Sequence, residues 1–280
     1  MGGKQLAEFE AAHGGGKIKA LQRQLDAEHR KVESLAGVQN VMHVERSDSN
    51  LVRFALTGDR HTGSLYQHAD ALKAFYEHCE ELGVDLVLDC GDILAGHNVY
   101  KGQEFELRDL GLDAQIDRLK KDAPQNVRTK FITGNHDASF KNQVGVVVGR
   151  AIEQALPEYQ FLGEDQARVT FEVPNGKFEV MLLHPAGGAK SYALSYQLQN
   201  IIRDLSGGSK PDLLACGHYH KAFNMPSFRN VAGYCAGTFE RQTPFMARQG
   251  LAAHVGAWII EAWVGGDRNR IRSEFVAFYT

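Results

Sequence analysis

The residues best suited to chemistry fall in five short blocks: Asp59-Arg60-His61, Gly91-Asp92, Gly134-Asn135-His136-Asp137, His184-Pro185 and Gly217-His218-Tyr219-His220. Each closes an apolar run, so a strand would deliver each block at its C-terminal end. Together they supply seven metal-binding side chains: Asp59, His61, Asp92, Asn135, His184, His218 and His220. That is more than one tetrahedral zinc ion accepts, and the closely spaced thiolates of a structural zinc site are missing. The set suits two five- or six-coordinate ions that share a carboxylate and keep positions open for water and substrate. Imidazole, carboxylate and amide oxygen together favour Mn, with Fe or Zn as alternatives, over Ca or Cu(I). Two ions about 3.5–4 Å apart are a recurrent device for in-line displacement at phosphorus. In the Gly134 block, Asn135 can bind metal, His136 can donate a proton and Asp137 can orient that imidazole.

In this order the blocks resemble the calcineurin-like metallophosphoesterase superfamily, whose pattern runs D-x-H, G-D, G-N-H-D/E, H and G-H-x-H. The resemblance covers about residues 51–245. It implies that Asp59, His61 and His220 hold one ion, that Asn135, His184 and His218 hold the other, and that Asp92 bridges them. It places His136 just outside the ions, facing substrate, with Asp137 holding its ring. Every block is present, which speaks for a catalytic member. The expected reaction is in-line attack on a phosphate ester by a hydroxide bridging the two ions, with His136 as general acid.

Of twelve histidines, five lie in the blocks. His97 follows the Gly91-Asp92 block in a loop leaving a strand end and is a candidate substrate contact. The remaining six sit in polar or helical stretches. Four cysteines, Cys79, Cys90, Cys216 and Cys235, are far apart in apolar company, which suits buried free thiols in a reducing compartment. No G-x-x-x-x-G-K-S/T sequence occurs, so a P-loop is not supported.

The 280 residues are 43% hydrophobic and carry a net charge of −3. This composition fits a soluble globular protein and no broad polyanion-binding surface. No apolar run is long enough to cross a bilayer, and the polar N-terminus lacks a signal-peptide core, so a cytoplasmic location is expected. Residues 1–49 read as a helical extension and linker, and residues 50–280 as the catalytic domain. Within the extension, Ile18, Leu21, Leu25, Val32 and Leu35 lie at helical spacing, interrupted by Glu28. That stripe would dock on its own chain or pair two subunits. Residues 45–50 read as a polar linker.

From Leu51 onward, strands at 51–57, 84–89 and 127–133 alternate with helices near 67–82, 104–121 and 143–155. Such alternation implies a parallel sheet, with a site at its carboxyl edge. The second half is more mixed: a hairpin of 168–173 and 177–183, a helix near 191–205, and strands at 212–216, 228–236, 251–263 and 270–279. The class is α/β, and the resemblance implies a four-layer αββα sandwich of two mixed sheets flanked by helices.

Substrate choice belongs to the surrounding loops. The chain has no large cap insertion. Residues 237–243 offer Arg241 to a phosphate, and Phe239 or Phe245 could stack on a base. These features lean towards phosphodiesters, DNA in particular. A phosphomonoesterase acting on phosphoproteins or nucleotides is the alternative, and a non-catalytic binding scaffold is a third reading.

Overall fold

The computed structural model describes residues 42–187, 193–265 and 269–279. The amphipathic stripe at 17–35, with the dimer it suggested, lies outside the described residues. The compact unit runs over Asn40–Thr280.

Two six-stranded sheets form its centre. One comprises β1 (Met42–Arg46), β6 (Gln166–Val173), β7 (Gly176–Leu183), β8 (Leu213–Cys216), β10 (Val231–Ala236) and β9 (Ala222–Phe228), in that spatial order. The other comprises β12 (Arg270–Ala277), β11 (Gly256–Trp263), β2 (Leu51–Thr57), β3 (Leu86–Asp89), β4 (Arg128–Thr133) and β5 (Tyr159–Glu164). β2 to β5 run parallel, as strand–helix alternation dictates, while β11 and β12 add antiparallel edges. β6 and β7 form the expected hairpin, turning at Pro174-Asn175. Both sheets are mixed.

The core lies between the sheets, where Phe54, Leu56, Leu88 and Ile132 meet Phe171, Phe178, Val180 and Leu213. The four strands β2, β3, β4 and β8 are almost continuously buried because both their faces are covered. Helix α1 (Ala69–Glu81) buries Leu72, Phe75 and Tyr76 against the outer face of the second sheet. α2 (Leu112–Asp122), α3 (Asn135–Val144) and α4 (Val148–Ala155) lie near β4, and α5 (Leu194–Asp204) covers the first sheet through Leu198 and Ile202. The result is the αββα order. Phe54 is fully buried and stacks on Phe171 at 5.2 Å, so Phe54→Ala should lower unfolding free energy by about 3–5 kcal/mol. Urea titration checks this; a loss below about 1 kcal/mol would mean that the two sheets close over the gap.

Three local expectations are corrected. Part of the supposed linker is strand β1, which pairs in parallel with β6; as a short edge strand it carries no long apolar run to announce it. The helix expected near 143–155 is two helices, because Gly145 adopts a left-handed conformation (φ 74°) and ends α3. The run at 228–236 crosses a tight turn: Arg229 (φ 52°) and Asn230 (φ 67°) join edge strand β9, which tolerates Pro226, to β10. Strand β5 and the short helix α6 (Pro244–Arg248) were not anticipated.

Candidate metal centre

All seven expected ligands come from the carboxyl ends of five strands drawn from both sheets. Asp59 and His61 follow β2, Asp92 follows β3, Asn135 follows β4, His184 follows β7, and His218 and His220 follow β8. The register sets these ends level: Thr57 pairs with Asp89, Asp89 with Phe131, and Leu183 with Cys216. The loops are then tied together. The Asp59 amide donates to Gly91 O at 2.8 Å, the His61 amide to Asp92 O at 3.0 Å and the His218 amide to Asp59 Oδ1 at 2.9 Å.

The backbone is strained where these side chains are presented. Asp59, His61, Asp92, His218 and His220 all have φ between 46° and 74°. Left-handed conformations are uncommon for such residues and cluster at functional sites, where the surrounding structure over-determines them. Gly134 is required for a different reason: a Cβ there would stand 2.3 Å from Asp92 Oδ1 and 2.6 Å from His184.

Three groups of donors converge within 4.8 Å: Asp59, His61 and His220; His61, Asp92 and His136; and Asp92, His184 and His218. Asn135 Oδ1 joins the last, 3.1 Å from His184 Nε2 and 2.8 Å from His218 Nδ1. His61 Nε2 and His220 Nε2 face each other at 2.9 Å. Burial pushes both imidazoles below the ordinary histidine range, His220 to about 3, so both are neutral and able to donate a lone pair. Asp59 Oδ2 is buried without a hydrogen-bond partner. A buried orphan carboxylate oxygen beside two neutral imidazoles is the environment of a bound cation. Burial opposes the charging of His184, but Asp92, 3.1 Å away, pushes it up to about 10. The donor chemistry of Asp59, His61 and His220 fits a divalent ion, and Asp92 belongs to both of the other donor groups.

His136 faces the same cleft, with its Nδ1 2.7 Å from Ala95 O. Asp137 does not hold that ring, contrary to expectation. Its carboxylate is fully buried and accepts the amides of Leu94 (2.9 Å), Gly134 (3.0 Å) and Ile93 (3.2 Å). It starts helix α3 and fastens the loop after β3 to it. His97 and Arg241 are not among the residues lining the cleft. The His97 amide donates to Ser139 Oγ, and Arg241 is exposed. Phe239 is buried against Phe75 and Phe278, leaving only Phe245 in the cleft wall.

Two features escaped the sequence reading. Arg60, between the expected ligands Asp59 and His61, is fully buried and donates to Asp89 Oδ2 (2.6 Å), Tyr76 Oη (2.6 Å) and Tyr159 Oη (2.8 Å). Asp89 also accepts from Thr57 Oγ1 and the Gly91 amide, so this network braces the ends of β2 and β3 beneath the centre. Glu240 lies between the two residues singled out at 239 and 241, lines the cleft, and stands 3.9 Å from His220 Nδ1. Burial raises it to about 8. No motif spacing marks either feature.

The arrangement gathers candidate metal donors at the joined carboxyl edges of two sheets. Residues 52–232 match the calcineurin-like phosphoesterase superfamily domain. The chain belongs to that family, as its motif order implied. DNA polymerase II small subunits from two strains of Halobacterium salinarum are 25% identical over 247 residues, covering 73% of this chain and 47% of each of theirs. The chain thus spans about half the length of these curated relatives. Among solved structures it is similar to vacuolar protein sorting 29 of Cryptosporidium parvum (TM-score 0.36, 14% identity, 81% of this chain and 99% of that one). It is also similar to a dimetal phosphatase from Danio rerio (TM-score 0.40, 13% identity, 80% and 98%). Among the described residues, no helix is long and apolar enough to cross a membrane.

Proposed function

We propose that this chain hydrolyses phosphodiester bonds with two divalent ions, Mn foremost, and that DNA is its substrate. The observation that carries the reading is the cleft over the ligand cluster. It measures about 300 Å³, and beside the imidazoles, Asp92, Asn135, Glu240 and Thr243 its wall carries Val99, Tyr100, Tyr219, Phe245, Met246 and Leu251. That is more room and more apolar surface than a bare phosphate uses, as expected when both ester oxygens carry substituents. The likeness to DNA polymerase small subunits adds support for a nucleic-acid substrate.

In this reading Asp59, His61 and His220 hold one ion, Asn135, His184 and His218 the other, and Asp92 both. When bound, the ions neutralise the phosphate and lower the pKa of an attacking water. The Ala95 carbonyl takes the His136 Nδ1 proton as a hydrogen bond, which turns Nε2 towards the cleft and the leaving oxygen. His136 can then stabilise or protonate that oxygen. Asp137 acts through the backbone, positioning the Asp92 loop against Asn135 and His136. Four free, buried cysteines support a reducing compartment, the cytoplasm in this reading.

Hydrolysis of bis-p-nitrophenyl phosphate against p-nitrophenyl phosphate, with Mn²⁺ and with chelator, tests this directly. The diester should be cleaved faster, chelation should stop the reaction, and single-stranded DNA should then be degraded. Preference for the monoester would overturn the diesterase reading in favour of a phosphatase of phosphoproteins or nucleotides. Absence of both metal and activity would leave a binding scaffold.

A further inference from the structure

The apolar wall of the cleft is fastened in place from two distant parts of the chain. Tyr100, in the loop after β3, and Phe245, in α6, stack with ring centroids 4.4 Å apart and planes 23° apart. Glu106 holds both: its Oε2 accepts the Tyr100 hydroxyl at 2.7 Å, and its Oε1 accepts the Phe245 amide at 3.0 Å. Glu106 is itself buried, 6% exposed. Thr243 caps α6 by accepting the Met246 amide at 3.2 Å, which sets the height of Phe245. Val99, Met246 and Leu251 complete the patch.

This wall adjoins the chemistry, since the Tyr100 ring is 6.2 Å from that of His136. No Lys or Arg is among the described residues that line the cleft. A second phosphate or a phosphopeptide with acidic flanks would find no cation there. A flat, uncharged group finds partly exposed aromatic rings and aliphatic neighbours, the surface on which bases stack. Resting on the phosphodiester reading above, the geometry points to Tyr100 and Phe245 as the seat of the nucleobase carried by the substrate phosphate. Glu106 is the positioning residue that keeps the seat formed.

The test is calorimetry on the Mn²⁺-loaded protein with two uncleavable phosphonates. One is the thymidine analogue with CH₂ in place of the 5′ ester oxygen, and the other is the same molecule with hydrogen in place of the base. The base should tighten binding about tenfold or more. Phe245→Ala should remove most of that gain while leaving the base-free ligand's affinity unchanged, and Phe245→Trp should retain it. Glu106→Ala should reduce the gain in the same selective way. Equal affinity of the two phosphonates for the unmodified protein, or a loss shared equally by both in Phe245→Ala, would overturn the proposal. A protein that favours the base yet cleaves only monoesters would keep the seat and lose the diesterase reading.

Discussion

Replacing Asp92 with asparagine is expected to weaken both ion positions together and to cut kcat/KM by about a thousandfold. Asp92 is nearly fully buried and shared by two donor groups. Its Oδ1 accepts the His136 amide at 2.8 Å, while its Oδ2 faces His184 at 3.1 Å and His61 at 3.9 Å. Asparagine keeps the shape but removes the charge that offsets two dications in a buried site, and its NH₂ replaces one acceptor. Losing several kcal/mol of charge stabilisation corresponds to about three decades in rate. The measurement is metal content by mass spectrometry after dialysis, alongside kinetics. Loss of one ion with the other fully retained would show that Asp92 serves a single position.

His136→Ala is expected to lower kcat by about 10²–10⁴-fold while both ions stay bound. The imidazole is held by Ala95 O and reaches the cleft without belonging to either proposed ligand set. It also lies within the donor group of His61 and Asp92, so metal content decides between acid and ligand. The leaving group sharpens the test. p-Nitrophenolate departs without a proton, whereas a nucleoside alkoxide needs one, so the loss should be larger on DNA than on bis-p-nitrophenyl phosphate. Equal losses on both would assign His136 to binding the phosphate rather than to proton transfer. Loss of an ion would make it a ligand.

The candidate ligands were legible because each is encoded locally: a strand, then a donor within a few residues of its end. Parallel register does the rest, setting several strand ends level, so five short blocks become one cluster. The second layer was not legible in the same way. Asp137 looked like the partner of its sequence neighbour His136, but helix α3 turns its carboxylate back onto the amides of Ile93, Leu94 and Gly134. Phe239 and Phe245 looked equivalent as base-stacking residues, yet one is in the core and the other in the cleft. Arg60 is enclosed by Asp89, Tyr76 and Tyr159, partners from three other segments.

By itself, then, the sequence determined the α/β class, the order of the strands that carry donors, and membership of the calcineurin-like phosphoesterase family. These follow from side-chain chemistry and from hydrophobic periods that act over a few residues. Only the tertiary structure decided that Asp137 braces loops rather than the His136 ring, where Glu240 stands, and that Glu106 joins Tyr100 to Phe245 as a wall. Those outcomes depend on contacts between residues far apart in the chain, which exist only once two sheets have packed and their loops have closed over a shared edge.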